Sequence, residues 1–79
     1  MARQVEHALS PPQLTERQRQ VASGIARGLT NEEIGAELGI SPRTVKAHCD
    51  SLRRILGVPT RRKIAPAFLA LQGHRLPRR

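Results

Sequence analysis

The 79 residues suffice for one domain, and a chain this short buries only about 60% of its unfolded surface, so its core must be small. One aromatic side chain, Phe68, and few β-branched residues argue against a sheet, and a single cysteine, Cys49, excludes an internal disulfide and a zinc knuckle. Residues 1–50 hold six basic and six acidic side chains and residues 51–79 hold eight basic and none acidic, so the net charge of +8 sits in the C-terminal part and points to a polyanion, nucleic acid ahead of an acidic protein or an anionic membrane surface.

Residues 1–13 are polar, end in Ser10-Pro11-Pro12 and Gln13, and read as a flexible N-terminal arm. The arm has no apolar run of signal-peptide length, and no later stretch approaches the ~20 apolar residues that span a bilayer. A soluble, cytoplasmic chain with no membrane partner is expected. The folded domain is expected over 14–72. Thr15 with Gln18 spells a capping box, Val21, Ala22, Ile25 and Leu29 form an apolar stripe at helical spacing, and Gly28 ends the first helix. Thr30 with Glu33 spells a second box, opening a helix of about two turns that buries Ile34 and Leu38 and stops at Gly39. Ile40 can point back into the core. Ser41 then caps a third helix over 42–56, with Pro42 at its first position, where a missing N–H costs nothing. Val45, Cys49, Leu52 and Leu56 share its buried face, leaving Arg43, Lys46, Ala47, Asp50, Arg53 and Arg54 outside.

The fourth segment begins near Thr60 with Arg61-Arg62-Lys63 and continues through eight residues, Ile64 to Leu71, without a polar side chain. No helix in so small a domain hides every side of such a run. Ile64, Phe68 and Leu71 complete the core, or Ala65, Leu69 and their neighbours also form a two-fold interface, and both can hold. Inside a helix begun at Arg61, Pro66 would remove a hydrogen bond and clash with the preceding turn, so the helix either kinks there or starts near Pro66. Residues 73–79 read as a loose basic tail. The whole is an all-α, four-helix bundle.

A short capped helix, a turn containing Gly39 and a longer helix with a basic face make the helix-turn-helix pattern. The third helix then fits the major groove of duplex DNA. Lys46 can donate to guanine O6 or N7, and Ala47 allows close approach and can touch a thymine methyl. Asp50 has two readings: it accepts from cytosine N4, or it pairs with Arg53 or Arg54 one turn on. Arg43, Thr44, Arg53 and Arg54 suit phosphate, which sets register and affinity. Thr30 and Asn31 lie where the second helix's free N–H groups favour a phosphate, although Thr30 serves as a cap in any case. His48 contacts phosphate or packs at the helix edge. With Phe68 alone available for base stacking, duplex DNA is favoured over single strands or RNA.

Leu14-Thr-Glu-Arg-Gln-Arg-Gln-Val21, Gly28-Leu-Thr-Asn-Glu-Glu-Ile-Gly35, Leu38-Gly-Ile-Ser41, Thr44-Val-Lys-Ala-His48 and Leu56-Gly-Val58 with Arg61, in that order, resemble the LuxR/GerE-type helix-turn-helix domain, also found at the C-terminus of NarL-like response regulators. The resemblance covers Leu14 to about Leu71. It implies bacterial transcriptional regulation, a third helix that reads the groove and a fourth that mediates dimerisation, here through Ala65, Phe68, Leu69 and Gln72. It implies base contacts from Lys46, Ala47 and Asp50 and a phosphate contact from Thr44, and Arg61 joins the phosphate set. The sequence departs from the family pattern at Asp50, frequently basic, at Ser51, usually Asn, and at Ile55, usually Lys. Many members carry a further N-terminal receiver or ligand-binding domain, for which 79 residues have no room, so a free-standing regulator or an isolated effector domain is expected.

Enzymatic readings find little support. Cys49 and His48 are adjacent and so point about 100° apart on a helix, with no third catalytic group near. His7, His48 and His74 are scattered, so no metal and no cofactor are expected. Glu32 and Glu33 suit the positive end of a helix dipole, and there is no Gly-rich phosphate loop. Two other classes fit the pattern: an interaction module of the same fold that binds a sigma factor or an RNA polymerase subunit, and a region-4-like piece of a sigma factor, which the ordering through Leu56-Gly-Val58 disfavours.

Overall fold

A computed structural model describes residues 13–75, with side chains through Gly73. Residues 1–12 of the expected arm at 1–13, and 76–79 of the expected tail at 73–79, lie outside the described residues. The described chain is an all-α, four-helix domain: α1 Glu16–Ala26, α2 Asn31–Leu38, α3 Pro42–Leu56, a 3-10 turn Arg61–Lys63, and α4 Ile64–Arg75.

Each of the first three helices starts where its cap residue sits. Thr15 Oγ1 accepts from Gln18 N at 3.1 Å while Gln18 Oε1 accepts from Thr15 N at 2.9 Å. The Thr30 and Glu33 pair repeats this at 3.1 and 2.8 Å, and Ser41 Oγ accepts from Thr44 N at 3.1 Å. Such caps satisfy N–H groups the helix cannot pair itself and contribute roughly 1 kcal/mol each. Gly39 and Gly57 end α2 and α3 in the left-handed conformation, at φ +72° and +69°, which only glycine enters without strain.

One core holds the helices together. Val21, Ala22 and Ile25 of α1, Ile34 of α2, Val45, Cys49 and Leu52 of α3, and Ile64 and Phe68 of α4 form a single buried cluster. Leu14, Leu29, Leu38, Ile40, Leu56, Val58 and Ala65 pack around its edge. Full burial of each larger side chain contributes about 1.5–3 kcal/mol, and α1 meets α4 and α3 while α2 leans chiefly on α3.

The fourth helix resolves the two expectations for Pro66. Residues 61–63 form a tight turn closed by Lys63 N to Thr60 O at 3.1 Å, and the α-helix begins at Ile64. Pro66 is therefore its third residue, where an N–H would lack an intrahelical partner anyway. The helix continues to Arg75, three residues beyond the expected domain edge at 72.

Candidate nucleic-acid interface

The helix-turn-helix is fixed by a close main-chain contact. Gly39 N and Ile40 N both donate to Gly35 O, the latter at 3.0 Å. A Cβ on Gly35 would lie 2.5 Å from Ile40 O, so only glycine lets the turn fold back this tightly on α2. The turn delivers Ser41 and Pro42 to the start of α3.

From there α3 divides cleanly. Val45, Cys49 and Leu52 are buried, whereas Arg43, Thr44, Lys46, Ala47 and Arg54 are exposed. His48, Asp50 and Arg53 flank the two faces and are half-buried. The residues expected to meet bases, Lys46, Ala47 and Asp50, thus lie together on the outer side.

Asp50 is the hub of a short network. Its Oδ1 accepts from Arg53 Nη2 at 2.9 Å and its Oδ2 from Lys46 Nζ at 3.3 Å, and Arg53 Nη1 also reaches Pro59 O at 3.1 Å. The Arg53 hydrogen bond first, and then that of Lys46, hold the Asp50 carboxyl below the usual aspartate range. Of the pairings foreseen for Asp50, the one with Arg53 forms. The bond from Lys46 is an addition, although its i,i+4 spacing was a readable signal.

At the start of α2, Thr30 serves as the cap and Asn31 is half-buried. Arg61, expected to face phosphate, turns inward: Nη2 donates to Asn31 Oδ1 at 2.9 Å and to Leu29 O at 3.1 Å. Its Nε is buried without a partner. Cys49 Sγ lies 3.8 Å from the same Asn31 oxygen, as a buried structural thiol. Residues 31 and 61 carry no local signal that would pair them in sequence. Arg62 and Lys63, beside Arg61, are exposed.

On α4, Leu69 is 54% exposed, and Ala65 and Gln72 are half-buried. Phe68, expected both in the core and at the interface, is 3% exposed and belongs to the core with Ile64 and Leu71, which share its helix face at i−4 and i+3, so it is withdrawn from the interface set. Among the described residues, no three His, Cys, Asp or Glu side chains converge on a metal position, and no helix is long and apolar enough to cross a membrane.

A capped short helix, a glycine turn and an amphipathic helix with an open cationic face define a helix-turn-helix domain. A family model described as "Bacterial regulatory proteins, luxR family" matches residues 12–67. The chain is 53% identical over 45 residues to the transcriptional regulatory protein UhpA of Escherichia coli K12, covering 57% of this chain and 23% of the relative. It is 44% identical over 59 residues to the nitrate/nitrite response regulator protein NarP of the same organism, covering 75% and 26%. With the transcriptional regulatory protein LiaR of Bacillus subtilis it shares 42% identity over 60 residues, covering 76% and 28%. The chain spans about a quarter of the length of these relatives. No solved structure gives a significant match. The chain belongs to the luxR family of bacterial regulatory proteins, as a DNA-binding helix-turn-helix domain.

Proposed function

We propose that the chain regulates transcription in the bacterial cytoplasm by seating α3 in the major groove of a specific duplex site. Lys46, Ala47 and Asp50 meet base edges, and Arg43, Thr44, His48 and Arg54 grip phosphates. Thr30 and Asn31 present the N-terminus of α2 to the backbone, and Arg53 and Arg61 act mainly by holding neighbouring groups in place. Two copies pair through the outer side of α4 around Leu69, so that two half-sites about one helical turn apart are read together. The observation that carries this reading is the open face of α3, where Lys46 and Ala47 are exposed while Val45 and Cys49 are buried.

The test is a selection of bound duplexes from a random pool, followed by titrations at several salt concentrations. A single enriched motif is expected, with affinity falling steeply as salt rises. Lys46→Ala should weaken the selected site by roughly 1–3 kcal/mol more than random duplex. Arg54→Ala should weaken all duplexes alike. No enrichment and no retention on duplex DNA would overturn this reading and favour the module that binds a sigma factor or polymerase subunit.

A further inference from the structure

We propose that Lys46 and Asp50 act as one unit that reads a single C·G pair, Asp50 accepting from cytosine N4 and Lys46 donating to guanine O6. The inference rests on α3 occupying the major groove, as proposed above.

The unit is already assembled in the free domain, with Lys46 Nζ 3.3 Å from Asp50 Oδ2. In the groove, a C·G pair displays the N4 donor of cytosine beside the O6 acceptor of guanine, joined by their own N–H···O bond of about 2.9 Å. An acceptor and a donor on the helix therefore face a donor and an acceptor on the base pair at nearly the same spacing. Capacity remains on both sides: an ammonium has three donors and a carboxylate about four lone-pair sites, of which Asp50 takes one from Lys46 and one from Arg53. Arg53, anchored on Pro59 O, fixes the carboxylate from behind. Ala47, exposed on the same outer face, adds only a methyl.

The pairing also removes the usual objection to an acid in the groove. A lone carboxylate is repelled by phosphates, but two cations against one anion leave this group positive. It makes the reading directional as well. Reversing the pair to G·C sets ammonium against amino group and carboxylate against carbonyl. An A·T pair has the same donor beside an acceptor, yet it places adenine N7, an acceptor, next to the carboxylate and the thymine methyl next to the ammonium. Cytosine offers only a C–H at the first position and guanine a second acceptor, N7, at the other.

The experiment crosses a base modification with a substitution. The selected site is synthesised with N4-methylcytosine at its fixed C·G pairs in turn, which places a methyl on the groove-facing side of the amino group. At one pair per half-site, wild-type affinity is expected to fall roughly ten- to a hundredfold. Asp50→Ala, whose fold is checked by thermal melting, should be nearly indifferent to the same methyl. Selection with Asp50→Asn should shift that position toward adenine, which an amide reads through N6 and N7. Equal penalties from the methyl in both proteins, or tighter binding of Asp50→Ala to every duplex alike, would overturn the inference. A selected motif with no fixed C·G pair would overturn it while leaving the regulator reading intact. A pool with no enrichment would remove both.

Discussion

Arg61 Nη2 lies 2.9 Å from Asn31 Oδ1, tying the turn before α4 to the first residue of α2 across thirty positions of sequence. The same nitrogen reaches Leu29 O, so one guanidinium closes the gap between the α1–α2 loop and the C-terminal helix. Hydrogen bonds from a charged donor contribute about 1.5–3 kcal/mol, and Arg61→Ala is expected to lose that much in urea unfolding. The exposed neighbour Arg62→Ala should stay within about 0.5 kcal/mol. Equal small losses would mean that the inward bonds of Arg61 contribute nothing.

Gly35→Ala is expected to cost about 2–3 kcal/mol, because the new methyl meets the main-chain oxygen of Ile40 at 2.5 Å and that oxygen cannot swing aside. At Gly39 a Cβ meets nothing within 4 Å, so Gly39→Ala bears only the left-handed backbone penalty of about 1–2 kcal/mol. Thermal melts of the two variants should rank them in that order. The reverse ranking would show that the turn relaxes around position 35.

Leu69→Glu should leave the fold within about 0.5 kcal/mol of wild type, since the side chain is 54% exposed. Sedimentation and gel shifts on a duplex carrying two half-sites should nonetheless show loss of paired occupancy. Phe68→Ala, by contrast, should cost about 3–5 kcal/mol by emptying the core. Undiminished pairing of Leu69→Glu would remove this face of α4 from the interface.

Two carboxyls should titrate low. Arg53 and then Lys46 depress Asp50, and the hydrogen bond from Arg27 depresses Glu37. A folded-state pKa below the unfolded one gives a stabilising contribution that is complete above the unfolded value and disappears as pH falls through the folded one. Both pairs are solvated, so the contribution is small, and the direct readout is carboxyl chemical shift against pH. Arg53→Gln should return most of the Asp50 shift, and Arg27→Gln that of Glu37. Ordinary titration in the wild-type chain would mean that these contacts do not persist in solution.

The helix starts and most of the core were legible because their signals are local. Thr15 with Gln18, Thr30 with Glu33, and Ser41 before Pro42 each act within one turn, and apolar residues at helical spacing mark the inner faces. Contacts that depend on the folded path were not legible. Nothing near Arg61 indicates Asn31, nothing near Arg53 indicates Pro59 O, and the fit of Gly35 against Ile40 O exists only once the turn closes. Pro66 fell between these cases. Its helix-breaking chemistry was plain, but where the helix starts depended on how many residues the preceding turn absorbs. The outer face of α3 was readable as a set of positions, and so was the pairing of Asp50 with Arg53, whereas the choice of Arg53 over Arg54 and its anchor on Pro59 O awaited three-dimensional placement.

The tilt of α3 is set by a main-chain seam at Gly35 and Ile40 and by the side chains beneath the helix, none of which belongs to its outward surface. The side chain at 47 can therefore be exchanged like type in a press, changing the text that is printed without shifting the frame that carries it. Positions 46 and 50 are different, because Lys46 is bonded to Asp50 and Asp50 is tethered through Arg53 to Pro59, which makes the pair part type and part frame. On the proposed reading, retargeting the domain is thus a matter of free choice at position 47 and of joint redesign of positions 46 and 50 with residue 53.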